Sequence, residues 1–178
     1  MNKLLVVVDM QNDFIDGALG TPEARAIIPA VAEFIKNWDG NLFCTQDTHY
    51  DDYLETQEGK FLPVEHCIVD TEGWELNTEI DEAIEEHLNK YDEVRKDAFK
   101  FSFGSISLGT HCRFKEYDEI HFVGLCTGIC VISNAVIAKT ASPESSIYIH
   151  KNLCACVTPE SHERALEQMA LLQMNIVD

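Results

Sequence analysis

Three groups of residues in this chain have types and spacings that suit chemistry. The first is Cys130, which follows the short apolar run Ile120, Phe122, Val123 and the strand-breaking Gly124. Val131, Ile132, Ala135, Val136 and Ala138 then recur at helical spacing, so the cysteine falls at or near the first turn of a helix that follows a strand. Unpaired N–H groups and a partial positive charge at such a turn favour the thiolate, the nucleophilic form. The competing reading is a small buried cysteine that only packs. The second group is a single carboxylate, Asp9, which ends the apolar run Leu4 to Val8. Ligands bind at the carboxyl ends of strands in open α/β sheets, so Asp9 stands where a substrate would, although an Asp there can also cap the next turn. The third is Asp47 and His49, two residues apart at a strand end and therefore on the same side of extended chain, with His66 later in the same loop. Carboxylate and imidazole ligands together suit zinc, manganese or iron; loop hydrogen bonding without a metal is the alternative.

The elements that must hold these groups are legible in outline. Leu4 to Val8 is a near-continuous apolar run, as expected of a parallel strand buried on both faces. A loop over Met10 to Gly20 leads to a helix after Thr21-Pro22-Glu23, with Thr21 as its cap, Pro22 at its first position, and Ile27, Ile28, Val31, Phe34 and Ile35 as its apolar stripe. Asn41 to Thr45 is the second strand, followed by a long polar loop, Gln46 to Gly73, of a length that is usually functional or disordered. A helix around Leu76 to Leu88, a strand over Tyr91 to Phe99, a Ser/Phe/Gly loop over Phe101 to Ser107 and a short helix to about Phe114 precede the Cys130 strand and helix. Ile147 to His150 is a fifth strand, a last helix opens at Pro159 and runs to about Leu172, and Asn175 to Val177 adds a short final strand. The alternation of strands and helices predicts a single-domain, Rossmann-like, three-layer α/β/α fold over residues 1–178, with a mostly parallel sheet of five or six strands.

Composition narrows the function. The 178 residues suit one domain with a sizeable core. A formal net charge of -18, from 31 acidic against 13 basic residues, argues against nucleic acid and anionic membrane surfaces as partners and says little about a small neutral substrate. No run of about 18 apolar residues is present, so no membrane span is expected. The N-terminal apolar run ends in Asp9 and reads as a strand rather than a signal peptide. Seven cysteines without a secretory signal imply free thiols in a reducing cytoplasm.

Four stretches, in order along the chain, carry a resemblance: Val8-Asp-Met-Gln-Asn-Asp-Phe14, Thr45-Gln-Asp-Thr-His49, Pro63-Val-Glu-His-Cys67 and Gly124-Leu-Cys-Thr-Gly-Ile-Cys-Val131. Together they resemble the isochorismatase-like cysteine hydrolases, and within them the nicotinamidase-like branch. The resemblance implies Cys130 as nucleophile and Asp9 as the acid/base that activates it and later protonates the leaving ammonia. It implies an oxyanion hole from the backbone N–H groups of Cys126 and Cys130, with a cis peptide at Leu125–Cys126. It implies a lysine at the end of the third strand. Lys96 and Lys100 both qualify, share strand parity, and are separated only by the better match of Lys100-Phe-Ser-Phe-Gly-Ser105 to the family pattern. It implies a metal, zinc first with manganese or iron possible, on Asp47, His49, His66 and a fourth ligand, Glu58 or next Glu55, where it would hold the pyridine nitrogen of the substrate. Phe14 matches the position of an aromatic ring over the substrate. Leu62 stands where many nicotinamidases carry Trp, which suggests a looser pocket.

One departure is plain. The family pattern Thr-Asp-x-Cys is here Thr127-Gly128-Ile129-Cys130, which puts the rigidity of the turn in question. The expected activity is hydrolysis of a small amide, nicotinamide first, through a thioester, by a homodimer or homotetramer. A related amidase for another small amide or carbamoyl compound, an isochorismatase-like ether hydrolase and a non-catalytic binding protein on the same fold are the alternatives. The other thiols and imidazoles receive bland readings. Cys154 and Cys156 in a turn with Cys126 and Cys130 do not match zinc spacing, Cys44, Cys67 and Cys112 read as core or loop thiols, and His87, His111 and His162 read as helix-surface or capping residues.

Overall fold

The computed structural model describes residues 2–90 and 114–178. Among them five strands, β1 (Lys3–Val8), β2 (Asn41–Thr45), β3 (Glu119–Leu125), β4 (Ser146–Ala155) and β5 (Asn175–Val177), form one sheet in the order β2-β1-β3-β4-β5. Every pairing is parallel. The strand expected over Tyr91–Phe99, the loop and short helix after it, and Lys96, Lys100, His111 and Cys112 lie outside the described residues.

Two-sided burial explains the apolar run of β1. Leu4, Val6 and Val8 join one core cluster, while Leu5 and Val7 join another on the opposite face. Helices α2 (Pro22–Asn37) and α4 (Thr78–Lys90) cover the second face, and α5 (Ile132–Ala141) and α6 (Pro159–Leu171) cover the first, giving three layers. The start of α2 follows its sequence signals, with Pro22 in its first turn and Thr21 Oγ1 accepting the Ala24 N–H at 3.0 Å. Val31 and Ile35 of its stripe are fully buried. No described helix is long and apolar enough to cross a membrane.

One strand boundary, two loops and one helix residue differ from the sequence reading. β4 runs on past His150 to Ala155, because Leu153, Cys154 and Ala155 are buried beyond the exposed pair Lys151 and Asn152. Cys154 is therefore a strand residue and not part of a turn. The Gln46–Gly73 stretch contains a 3-10 turn at Tyr53–Glu55 and a short helix α3 (Gln57–Phe61), started by Thr56 Oγ1 accepting from the Gly59 N–H at 3.0 Å. A further one-turn helix, α1 (Asn12–Ile15), sits inside the expected Met10–Gly20 loop. His87 is not a surface residue: it lies on the inner face of α4 and is wholly buried.

The topology places the site. β1 is where the strand order reverses, with β2 on one side and β3 on the other, and the crevice at the carboxyl ends of adjacent strands is the place for a ligand. Register sets Val8 opposite Gly124, so Asp9 emerges beside the turn that leads to Cys126. Gly124 is at φ +115°, and a Cβ there would overlap the Val8 carbonyl, so close approach of the two backbones requires glycine.

Candidate active site

Asp9 leaves β1 in the left-handed region at φ +47° and is 1% exposed. Its amide donates to Thr45 O and Thr45 Oγ1, both at 3.2 Å, while the Thr45 hydroxyl donates to Asp9 Oδ1 at 2.6 Å. Oδ2 is buried, and the Cys130 thiol is close enough to stabilise the carboxylate. Burial, with the negative charge of Asp47, raises the Asp9 carboxyl to about 7 against the pull of Thr45 and Cys130. A carboxyl poised there accepts and returns a proton near neutral pH.

Cys130 is buried on a π-helical turn, Thr127–Val131, that leads directly into α5. Burial first, then the charge and hydrogen bond of Asp9, push its thiol well above the ordinary range; the N–H of Cys126 pulls the other way. Among the described residues the turn therefore does not by itself make a free thiolate, and Asp9 is the carboxylate that faces the sulfur. The amide of Cys126, one of the two expected oxyanion donors, faces the Cys130 sulfur, and the Leu125–Cys126 peptide is cis.

The second constellation forms around Asp47. One donor atom each from Asp47, His49, Glu58 and His66 lie within 4.8 Å of one another. His49 Nε2 is 3.0 Å from Asp47 Oδ2 and 3.8 Å from Glu58 Oε1, and His66 Nε2 is 3.4 Å from the same Asp47 oxygen. His66 Nδ1 donates to the Val64 carbonyl at 2.8 Å, which fixes the ring with Nε2 facing the cluster. Burial opposes the Asp47 charge, but hydrogen bonds from the two histidines outweigh it and hold the carboxyl well below the usual carboxylate range. For His66 burial acts downward, and Asp47 and the Val64 carbonyl raise it. Two carboxylates and two imidazoles in this arrangement fit a divalent cation of the zinc, manganese or iron kind. Glu55, the other possible fourth ligand, is exposed and outside the group. The two constellations are neighbours, since the Asp47 charge raises both Asp9 and Cys130. Phe14 stands against His66, ring centroids 5.5 Å apart. Leu62 caps α3, is 37% exposed, and its carbonyl accepts the Tyr53 hydroxyl at 2.9 Å.

Several supporting residues escaped the sequence reading. Tyr53 is fully buried, with its ring against both His49 and His66 at centroid distances of 4.6 and 5.1 Å. Gln11 accepts from the Asp47 N–H at 2.7 Å and donates to the Asp47 and Trp74 carbonyls, each at 2.8 Å. Asp13 Oδ2 accepts the N–H of Cys67, the neighbour of His66, at 2.8 Å. The only sequence signal for Gln11 and Asp13 was their place inside the Asp9–Phe14 motif, and Tyr53 had none. His162, expected to be a surface or capping residue, instead meets Thr127 Oγ1 at 2.8 Å and ties α6 to the Cys130 turn.

The isochorismatase domain model matches residues 3–178. The chain belongs to the isochorismatase family. Within this family it is 25% identical to the nicotinamidase of Saccharomyces cerevisiae over 215 residues, covering 99% of each chain. The crystal structure of the nicotinamidase/pyrazinamidase PncA from Bacillus subtilis superimposes with a TM-score of 0.79 at 30% identity and full coverage of both chains. The pyrazinamidase of Pyrococcus horikoshii in complex with zinc gives a TM-score of 0.79 at 27% identity, over 100% of this chain and 99% of that one. As a member of the isochorismatase family the chain is a hydrolase, and Asp9, Cys130 and the Asp47 group stand at the carboxyl end of its sheet.

Proposed function

We propose that this chain is a nicotinamidase, one hydrolase domain that converts nicotinamide and water to nicotinate and ammonia through a cysteine thioester. The observation that carries this reading is the adjacency of the Asp9–Cys130 pair to four converging metal-ligand atoms. The nicotinamidase of Saccharomyces cerevisiae and the zinc complex of the Pyrococcus horikoshii pyrazinamidase support the choice of substrate and metal.

Asp9 takes the Cys130 proton as the sulfur attacks the amide carbonyl carbon. The amides of Cys126 and Cys130 hold the oxyanion, a kind of stabilisation whose loss typically costs roughly 10²–10³ in rate per donor. Asp9 returns the proton to the leaving ammonia, and a water, deprotonated by Asp9, then hydrolyses the thioester. Lys100, with Lys96 as its alternative, is assigned to favouring the charged Asp9–Cys130 pair. Asp47, His49, Glu58 and His66 would hold the divalent cation, zinc first, and its Lewis acidity would anchor a ring nitrogen. Phe14 flanks the substrate ring and Leu62 the pocket edge. No disulfide joins the six described cysteines, which supports a reducing, cytoplasmic setting. Exposed Ile129, Val136 and Val157 supply apolar surface for a homodimer or homotetramer. Gly128 in place of the usual Asp, and the exposed Leu62 in place of Trp, favour as second reading an amidase for another small amide.

The test is ammonia release from nicotinamide by the purified protein, with and without added zinc or manganese, beside Cys130→Ala. Release that needs both the metal and Cys130 supports the whole reading. Absence of release while Cys130 still reacts with iodoacetamide discards nicotinamide and leaves the second reading.

A further inference from the structure

Beyond the register shift between Phe122 and Gly124, β3 and β4 pair in step, with Gly124 opposite Cys154 and Leu125 opposite Ala155. The next residue of each strand, Cys126 and Cys156, therefore leaves the sheet side by side. Neighbouring strands lie about 4.8 Å apart, inside the roughly 4.4–6.8 Å Cα separation that a disulfide spans. The two side chains already meet, the Cys126 thiol donating to the Cys156 sulfur. A Cβ on residue 128 would stand 3.5 Å from Cys156 Sγ, ordinary contact distance, so the Cys130 turn passes directly beside that sulfur. Cys156 also lines a surface cavity of about 380 Å³ with Gly128, Ile129, Ile132, Val157 and Arg164, which gives a small molecule a route to the residue. Nothing in the proposed hydrolysis uses Cys156.

We infer that Cys126 and Cys156 are a peroxide-reactive thiol pair, and that their disulfide reversibly shuts down Cys130. The Cys156 thiolate attacks one oxygen of the peroxide; the O–O bond breaks, hydroxide leaves, and Cys156 becomes a sulfenic acid. The Cys126 sulfur then attacks the Cys156 sulfur, the S–O bond breaks, and the departing hydroxide leaves as water with the Cys126 proton. Two thiols lose two electrons, and with the proton that Cys156 gave up the peroxide becomes two waters. The hydrogen bond from Cys126 opposes burial and, with further help from Ser161 and the amides of Gly128 and Val157, draws the Cys156 thiol down to about 5. That makes it the attacking sulfur and leaves Cys126, held upward by the same bond, to resolve. The coupling to Cys130 is direct, because the Cys126 amide faces the Cys130 sulfur and moves when its side chain is drawn to Cys156.

The test needs no substrate and so stands apart from the hydrolase reading. The full chain and its Cys130→Ala variant are treated with hydrogen peroxide and digested without reductant, and cross-linked peptides are read by mass spectrometry. A Cys126–Cys156 link in both proteins, removed by dithiothreitol, is expected. In the unsubstituted protein, iodoacetamide labelling of Cys130 should fall at least tenfold after peroxide and recover after dithiothreitol, whereas Cys156→Ala should keep most of its labelling. No Cys126–Cys156 link in either protein, or a Cys126–Cys130 link in its place, overturns the inference. So does labelling that is lost equally in Cys156→Ala.

Discussion

Gly73→Ala should damage the metal cluster without touching a ligand. A Cβ on residue 73 would lie 2.5 Å from Asp13 Oδ1 and nearer still to Oδ2 and Cγ, whereas ordinary contact begins at 3.4 Å. The carboxylate must swing away. Oδ2 then loses the Cys67 N–H at 2.8 Å, and Oδ1 loses the Ala18 N–H at 3.2 Å. A hydrogen bond to a charged group contributes about 1.5–3 kcal/mol. The Ala18 bond is long and exposed, so the Cys67 bond dominates and a loss of about 2–3 kcal/mol is expected. At about 2–4 °C per kcal/mol for a domain of this size, Tm falls by roughly 4–12 °C. Urea unfolding should show a lower midpoint with an unchanged slope, and zinc affinity should fall because His66 adjoins the loosened Cys67. The decisive measurement is the double-mutant cycle with Asp13→Ala. In that background the new methyl has no carboxylate to meet, and Gly73→Ala should change stability by less than about 0.5 kcal/mol. Equal losses in both backgrounds, or no loss in the unsubstituted protein, would refute the reasoning.

Three other expectations follow from the same geometry. Gly124→Ala combines a backbone overlap with Val8 and a φ of +115°, and should give little soluble protein by size-exclusion chromatography. Zinc at about 100 times its Kd should stabilise the protein by about 2.7 kcal/mol in a thermal melt, and His66→Ala or a chelator should remove that gain. Acid should weaken the fold through His121, whose Nδ1 is 2.9 Å from His150 Nε2 and which faces Glu119, Lys3, Trp38 and Tyr148. Burial above all draws His121 down to about 4, so the unfolded chain takes its proton first, near 6.5; stability is full above that pH and declines until about 4. The loss should be about 2–3 kcal/mol in urea melts across that window, and a slope unchanged in His121→Leu would sink the assignment.

What could be read in the sequence was local. The apolar run of β1, the Thr21–Pro22 start of α2 and the i, i+2 pair Asp47 and His49 are set by neighbours in the chain, and each stands where its pattern put it. Glu58 joined the cluster because one short helix turns it toward His49. What escaped depends on distant partners. Gln11 meets Asp47 across 36 positions, Asp13 meets Cys67 across 54, and His162 meets Thr127 across 35, and no period in the sequence encodes such meetings. The length of β4 was hidden by Lys151 and Asn152, which interrupt the apolar pattern where strand pairing shifts its register. The buried His87 was missed because a polar residue on a helix reads as surface until the packing of α2 against α4 is known.

Asp9, Gln11, Asp13 and Phe14 meet, in turn, the Cys130 thiol, the Asp47 backbone, the Cys67 amide and the His66 ring. One short run of backbone thus acts as a gauge between the two halves of the site. A residue inserted within it would slide one half past the other by up to about 3.3 Å, the length of one extended residue and more than a coordination bond of roughly 2 Å. The span that a substrate must bridge is fixed there, by a count of peptide units, before any pocket wall touches the molecule.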